Sequence, residues 1–137
     1  MKPVSCGLSG HSVEIAPCAL EDLGPWRGAA EREGILFSQQ VDMFAVRLRK
    51  NAGIAGFFGI RWFHGSAVLK CVYVLPEYRR RGLFRLMTEY SLRLIRSRGI
   101  ERVDAHATAM SASMYLHLGA VLIRRFKFGG AAVRFLL

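Results

Sequence analysis

The sequence is short of several things, and each shortage excludes a class of protein. Cysteine occurs only at positions 6, 18 and 71. An odd count at irregular spacing builds no disulfide framework and fits a reducing, cytoplasmic setting. Cys6, His11 and Cys18 match no zinc spacing and lack a fourth ligand, so no metal is expected. No apolar run approaches the roughly 18 residues of a membrane span. The opening residues Met1-Lys2-Pro3-Val4-Ser5-Cys6 lack the apolar core of a signal peptide, so neither membrane insertion nor export is expected. Acidic side chains are scarce as well: 10 stand against 20 Lys and Arg, a net charge of +10.

What is present is globular in composition. Hydrophobic residues make up 52% of the 137 positions and charged residues 22%, which excludes intrinsic disorder. The length suits one domain over residues 1–137, able to bury roughly two-thirds of its unfolded surface without a covalent staple. The charge is lopsided. Residues 1–69 carry seven basic and six acidic side chains, whereas residues 70–137 carry thirteen and four. Arginine supplies 16 of the 20 cations. Its planar fork favours phosphate, so the C-terminal half points to a polyanionic ligand or partner.

The patterning describes alternating strands and helices. Val13 to Ile15 reads as a short strand. A helical stretch follows from Ala19, disturbed at Gly24-Pro25 and closed at Gly34. Val41–Arg49, Ile54–Phe63 and Ala67–Leu75 read as three strands joined by short turns, an antiparallel meander, the last apolar enough to be buried on both faces. After Gly82 the apolar positions Leu83, Leu86, Met87, Tyr90 and Leu94 line one helical face, opposite Arg85, Glu89, Arg93 and Arg96. Gly99 ends that helix. A strand over Ile100–Ala107, parallel to the one before, a short helix over about Ser111–Leu118 and a hairpin across Gly129-Gly130 complete an α/β domain on a mixed sheet.

One segment carries chemistry: Val72-Tyr73-Val74-Leu75-Pro76-Glu77-Tyr78-Arg79-Arg80-Arg81-Gly82-Leu83-Phe84. A strand runs into a basic turn and then into a helix whose start has no Ser, Thr, Asp or Asn cap beside Gly82. Such an N-terminus suits a phosphate, and Gly82 allows close approach to the backbone. Arg79, Arg80, Arg81 and Arg85 add charge around it.

This run resembles the acyl-CoA-binding motif of GNAT-superfamily N-acetyltransferases, Gln/Arg-x-x-Gly-x-Gly/Ala. Arg79 and Gly82 match, and Phe84 departs from the last position. Downstream, Thr108 to Ala120 resembles the family's Asn-x-x-Ala-x-x-Leu-Tyr-x-Lys-x-Gly-Phe. Tyr115 and Gly119 are in register, and Thr108, Ser111, His117 and Ala120 are substituted. The resemblance implies a GNAT-like mixed, centrally splayed β-sheet flanked by helices. It implies acetyl-CoA as co-substrate and an amine as acceptor. Backbone around Arg80 to Arg85, including Gly82, Leu83 and Phe84, is then expected to hold the pyrophosphate, and Val72 and Val74 the pantetheine arm. Tyr115 is expected to protonate the departing thiolate, a role open to a phenol that stays protonated at neutral pH. For the base that takes the amine proton, His106 and His64 are the candidates, with Asp104, Glu77 and a relaying water as alternatives.

The acceptor stays open at this point. Arg124, Arg125, Lys127 and Arg134 on the closing hairpin, with Phe126 and Phe128 between them, suit backbone phosphates and stacked bases. One reading is therefore a phage-type member acting on an amine-bearing base in DNA or RNA. The others are a small-molecule or protein amine, and a non-catalytic module that binds CoA or nucleic acid. A monomer or a homodimer is expected, the latter through an exposed Phe135-Leu136-Leu137.

Overall fold

The computed structural model describes residues 12–38, 40–127 and 129–137. Cys6, His11 and Phe128, named above, lie outside the described residues. Seven strands and three helices follow in the expected order: β1 (Val13–Cys18), α1 (Pro25–Arg32), β2 (Asp42–Leu48), β3 (Ile54–Phe63), β4 (Ser66–Val74), α2 (Leu83–Ser97), β5 (Arg102–Ala107), α3 (Ala109–His117), β6 (Val121–Arg125) and β7 (Ala131–Leu136). Single 3-10 turns occupy Leu20–Leu23 and Pro76–Tyr78. Pro25 takes the first turn of α1, where its missing N–H costs no helical bond.

The strands form one mixed sheet in the order β1-β2-β3-β4-β5-β7-β6. β1 pairs antiparallel with β2, from Val13 opposite Leu48 to Cys18 opposite Met43. β4 pairs parallel with β5, and β5 antiparallel with β7. The closing hairpin folds so that β7 is the inner strand and β6 the edge. The reason is burial: β7 hides Ala131, Val133 and Phe135 on one face, whereas every residue of β6 is exposed. Gly130 enables the turn. It has φ +81°, and a Cβ there would run into the carbonyl of Ala107.

Contacts group the chain into two compact units. The first holds the described residues up to Gly59 and Cys71–Thr88, the second Ile60–Lys70 and Glu89–Leu137. The first has an aromatic core. Phe57 lies 5.3 Å from Tyr73 and 5.9 Å from Phe37, with Leu23, Ala30, Val41, Met43 and Leu75 in the same cluster. The second packs α3 on β5 and β7, and the Tyr115 ring meets the edge of Phe135 at 5.9 Å.

Three expectations are corrected. β4 is not buried evenly on both faces: Ala67, Leu69, Cys71 and Tyr73 are buried while alternate residues are half-covered. The deepest line on α2 is Leu83, Met87, Ser91 and Ile95, and Thr88 is buried beside it. Thr88 tolerates burial because its hydroxyl donates to the Phe84 carbonyl at 2.9 Å. Finally, Phe135 is core, not a dimer surface, since strand alternation points it at Tyr115 and leaves only Leu136 strongly exposed.

Candidate active site

In the first unit, alternation along the end of β4 sends Cys71 and Tyr73 into the core and leaves Val72 and Val74 half-buried on the other face. Cys71 has φ +56°, an uncommon conformation for a non-glycine residue inside a strand. It breaks the regular alternation of N–H and C=O directions. The thiol is anchored by donating to the Leu36 carbonyl at 3.2 Å. The β4–β5 ladder has its last pair at Leu69–Ala105, two residues earlier.

Beyond Pro76–Tyr78 the backbone turns left-handed twice, at Arg80 (φ +64°) and at Gly82 (φ +81°). The first hydrogen bond of α2 runs from the Leu86 N–H to the Gly82 carbonyl at 3.1 Å. Left-handed residues at a turn gather successive N–H groups into an anion-binding concavity, and a helix start adds its dipole. A Cβ built on Gly82 meets nothing within 4 Å, so the space above the turn is open. Arg80, Arg81 and Arg85 are exposed around it, Arg81 lying 5.8 Å over the Tyr78 ring. Backbone, charge and space fit an organic pyrophosphate. The Leu83 side chain is buried core, so it can offer a ligand only its backbone; Phe84 is half-buried.

Arg79 differs from its neighbours. Its Nε donates to the Val74 carbonyl at 2.8 Å and its Nη2 to Glu33 at 2.9 Å, with the guanidinium 5.2 Å over the Tyr73 ring. The Tyr73 hydroxyl donates to the other Glu33 oxygen at 2.8 Å. That hydrogen bond, more than the Arg79 contacts, holds the Glu33 carboxyl below its ordinary range. Burial first, and Glu33 second, push the Tyr73 phenol up. This cluster ties the end of β4 and the arginine turn to the residue that caps α1.

In the second unit Tyr115 is buried on α3, and desolvation raises its pKa far above the usual phenol value. The phenol is therefore protonated throughout the neutral range. Thr108 caps this helix reciprocally with Ser111: the Ser111 N–H reaches Thr108 Oγ1 at 3.1 Å and the Thr108 N–H reaches Ser111 Oγ at 2.9 Å. His106 is exposed at the end of β5, its ring 5.4 Å edge-on to Phe126. Asp104 and His106 share a sheet face, as expected from strand parity. That face is the one opposite Tyr115, because Asp104 and His106 pair with Arg134 and Ala132 while Val103 pairs with Phe135. Arg134 grips Asp104 through two bonds, 2.7 and 3.3 Å, which commits this carboxylate structurally. His64 is exposed in the turn before β4, whereas the arginine turn follows β4; Glu77 is exposed in the 3-10 turn. Among the described residues no group of His, Cys, Asp and Glu could hold a metal ion, and no helix is long and apolar enough to cross a membrane.

The family model described as the acetyltransferase (GNAT) family matches residues 14–120. The chain belongs to that family. No curated protein matches it significantly. Solved structures share its fold at low identity. The ribosomal-protein-S18-alanine N-acetyltransferase of Escherichia coli is 21% identical, with a TM-score of 0.72 over 91% of this chain and 92% of that one. The PaiA N-acetyltransferase of Thermoplasma acidophilum, in complex with coenzyme A, is 14% identical, with a TM-score of 0.75 over 92% and 99%. A GNAT family acetyltransferase from Elizabethkingia anophelis with acetyl-CoA bound is 10% identical, with a TM-score of 0.68 over 92% and 99%. The mixed α/β GNAT fold expected from the strand–arginine turn–helix order is therefore the observed one.

Sequence reasoning missed two features of this GNAT chain. The left-handed backbone at Cys71 has no signature, since cysteine does not favour that region as glycine or asparagine does. The split of roles among Arg79, Arg80 and Arg81 was invisible because the three share one side chain. The only signal was distant: Glu33, an acid far away in sequence that selects the first of them.

Proposed function

We propose that this GNAT enzyme transfers an acetyl group from acetyl-CoA to a primary amine. The observation that carries the reading is the pair of left-handed residues, Arg80 and Gly82, at the open N-terminus of α2. Acetyl-CoA supplies the activated thioester. Arg80, Arg81 and Arg85 neutralise its phosphates, and the backbone from Gly82 to Arg85 faces the pyrophosphate. Val72 and Val74 offer main-chain groups to the pantetheine amides, the Val74 carbonyl keeping a lone pair beyond its bond to Arg79. Tyr115 donates its phenolic proton toward the departing sulfur. A phenol above pH ~10 acts there more by a persistent hydrogen bond than by full release, because a free thiol sits near ~8.5. The amine proton leaves through water to an exposed imidazole, His106 or His64. Water is required for His106, whose side chain is on the sheet face opposite Tyr115. The buried Cys71 thiol, held by the Leu36 carbonyl and outside any disulfide, suits a reducing, cytoplasmic location.

A second reading concerns the acceptor: an amine borne on a modified base in DNA or RNA. It is supported by the hairpin. No acidic residue follows Asp104, and Arg124 lies 5.3 Å over Phe126 beside exposed Arg125 and Lys127. A base in a duplex has to be flipped out to react.

Calorimetry with acetyl-CoA, followed by a mass-spectrometric acetyl-transfer screen over polyamines, peptides and amine-modified oligonucleotides, tests both. Binding of acetyl-CoA that Gly82→Ala weakens is expected. Absence of binding overturns the mechanism, and transfer to polyamines or peptides with none to oligonucleotides overturns the second reading.

A further inference from the structure

The charge surplus does not fall in the unit that carries the arginine turn. In the first unit the described residues carry nine Lys and Arg against seven acids, +2. The second carries ten against three, +7. One of those three acids, Asp104, is held by Arg134 and approached by Arg102 at 3.9 Å. Only Glu89 and Glu101 remain to balance the rest of the unit.

The arginines there are also arranged on aromatic rings. Arg98, just past the end of α2, lies 4.2 Å over half-buried Trp62 of β3. Arg61 lies 4.9 Å over Phe63, which is 45% exposed, and Arg124 over Phe126. A guanidinium stacked on a ring keeps its in-plane N–H donors for phosphate oxygens. The ring and the guanidinium plane together offer a surface on which a base can stack. Arg93 and Arg96 extend the charge along the exposed side of α2. Eight of these ten cations are arginine, whose planar fork matches phosphate oxygens bidentately. Stacking requires unpaired bases, which selects single strands over duplex.

We infer that Trp62 and Arg98, flanked by Arg93 and Arg96, form a docking platform for single-stranded nucleic acid. The inference rests on the nucleic-acid reading of the acceptor for its purpose, and the platform holds the polymer whose amine is to be acetylated. Its residues include neither the arginine turn nor Tyr115.

Trp26→Phe leaves Trp62 as the sole tryptophan. In that background an oligothymidylate of about 12 nucleotides, within the usual range of site sizes, is titrated without acetyl-CoA. Quenching of Trp62 emission is expected, with affinity falling roughly twenty-fold between 50 and 200 mM salt for about three phosphate contacts. Arg98→Glu removes the quenching. Arg93→Gln and Arg96→Gln, which face solvent, each flatten the salt slope by roughly 0.7. Equal binding to duplex DNA or to phosphatidylserine vesicles overturns the proposal, as does oligonucleotide binding that leaves Trp62 emission unchanged. Acetylation of an aminoalkyl oligonucleotide without quenching removes the platform and keeps the acceptor reading. Quenching without acetylation removes the acceptor reading and keeps the platform.

Discussion

Arg79 and Arg81 are two residues apart and chemically identical, yet the structure gives them opposite work. Arg79 is bound at 2.8 Å to the Val74 carbonyl and at 2.9 Å to Glu33, while Arg81 is exposed beside Tyr78. Arg79→Ala is therefore expected to lower stability by about 1–2 kcal/mol, the scale of charge-assisted bonds at a half-exposed site. Arg81→Ala is expected to leave stability unchanged and to weaken acetyl-CoA binding. Thermal melts beside calorimetry separate the two; a reversed order would mean that the turn binds phosphate through its first arginine. Tyr115 makes a second test at this scale. Tyr115→Phe keeps the contact with Phe135 and deletes the hydroxyl. A loss in kcat of roughly 10²-fold, with KM for acetyl-CoA retained, is expected of a lost proton donor. Unchanged turnover would make this buried phenol a packing residue only.

At the scale of elements, local signals explain most of what was readable. Leu83, Met87, Tyr90 and Gly99 marked α2 because helical spacing and a glycine stop act within the element itself. β3 was legible to the residue, Ile54–Phe63, because Gly53 and His64-Gly65 punctuate it. The hairpin was legible too, but which strand lies inside was not. Val121-Leu122-Ile123 of β6 looks as apolar as β7, and only packing under α3 places Phe135 and Val133 inside. The candidate site divides in the same way. The arginine turn announced itself through Gly82, but the opposite facing of His106 and Tyr115 depends on the β5–β7 pairing, a long-range fact. Substitution of the family's Asn by Thr108 proves structurally harmless, since Thr108 forms a reciprocal cap with Ser111. Thr108→Ala is expected to cost about 1 kcal/mol. For a chain of this length that corresponds to a drop of roughly 3–5 °C in Tm. Thr108→Ser, which keeps the hydroxyl, should restore it; equal melts for both variants would show that the cap contributes nothing.

Across the whole molecule, the perturbed acids and phenols set a pH window for folding. The Glu33 carboxyl is depressed in the fold, chiefly by the Tyr73 hydroxyl. Its stabilisation is present above the ordinary value of ~4.3 and is lost as pH falls through the lowered one. Acid adds positive charge to a chain already at +10, so self-repulsion steepens that limb. The phenols act at the other end. Burial raises Tyr73 and, far more, Tyr115. For a raised group the stabilisation is complete below the unfolded value, ~10 for a phenol, and is lost as pH rises through the folded value. The Cys18 thiol, raised first by burial and then by Asp22, begins the same loss from ~8.5 upward. Tm is thus expected to be flat between about pH 5 and 8, to fall gently above that and to collapse above about pH 10. Tyrosinate absorbance followed through the alkaline limb checks the cause. Tyr115 should ionise only as the chain unfolds, Tyr73 later than a free phenol, and Tyr115→Phe should move the collapse to higher pH. If all four tyrosines titrate smoothly while near-UV dichroism stays native, the phenols are not what closes the window.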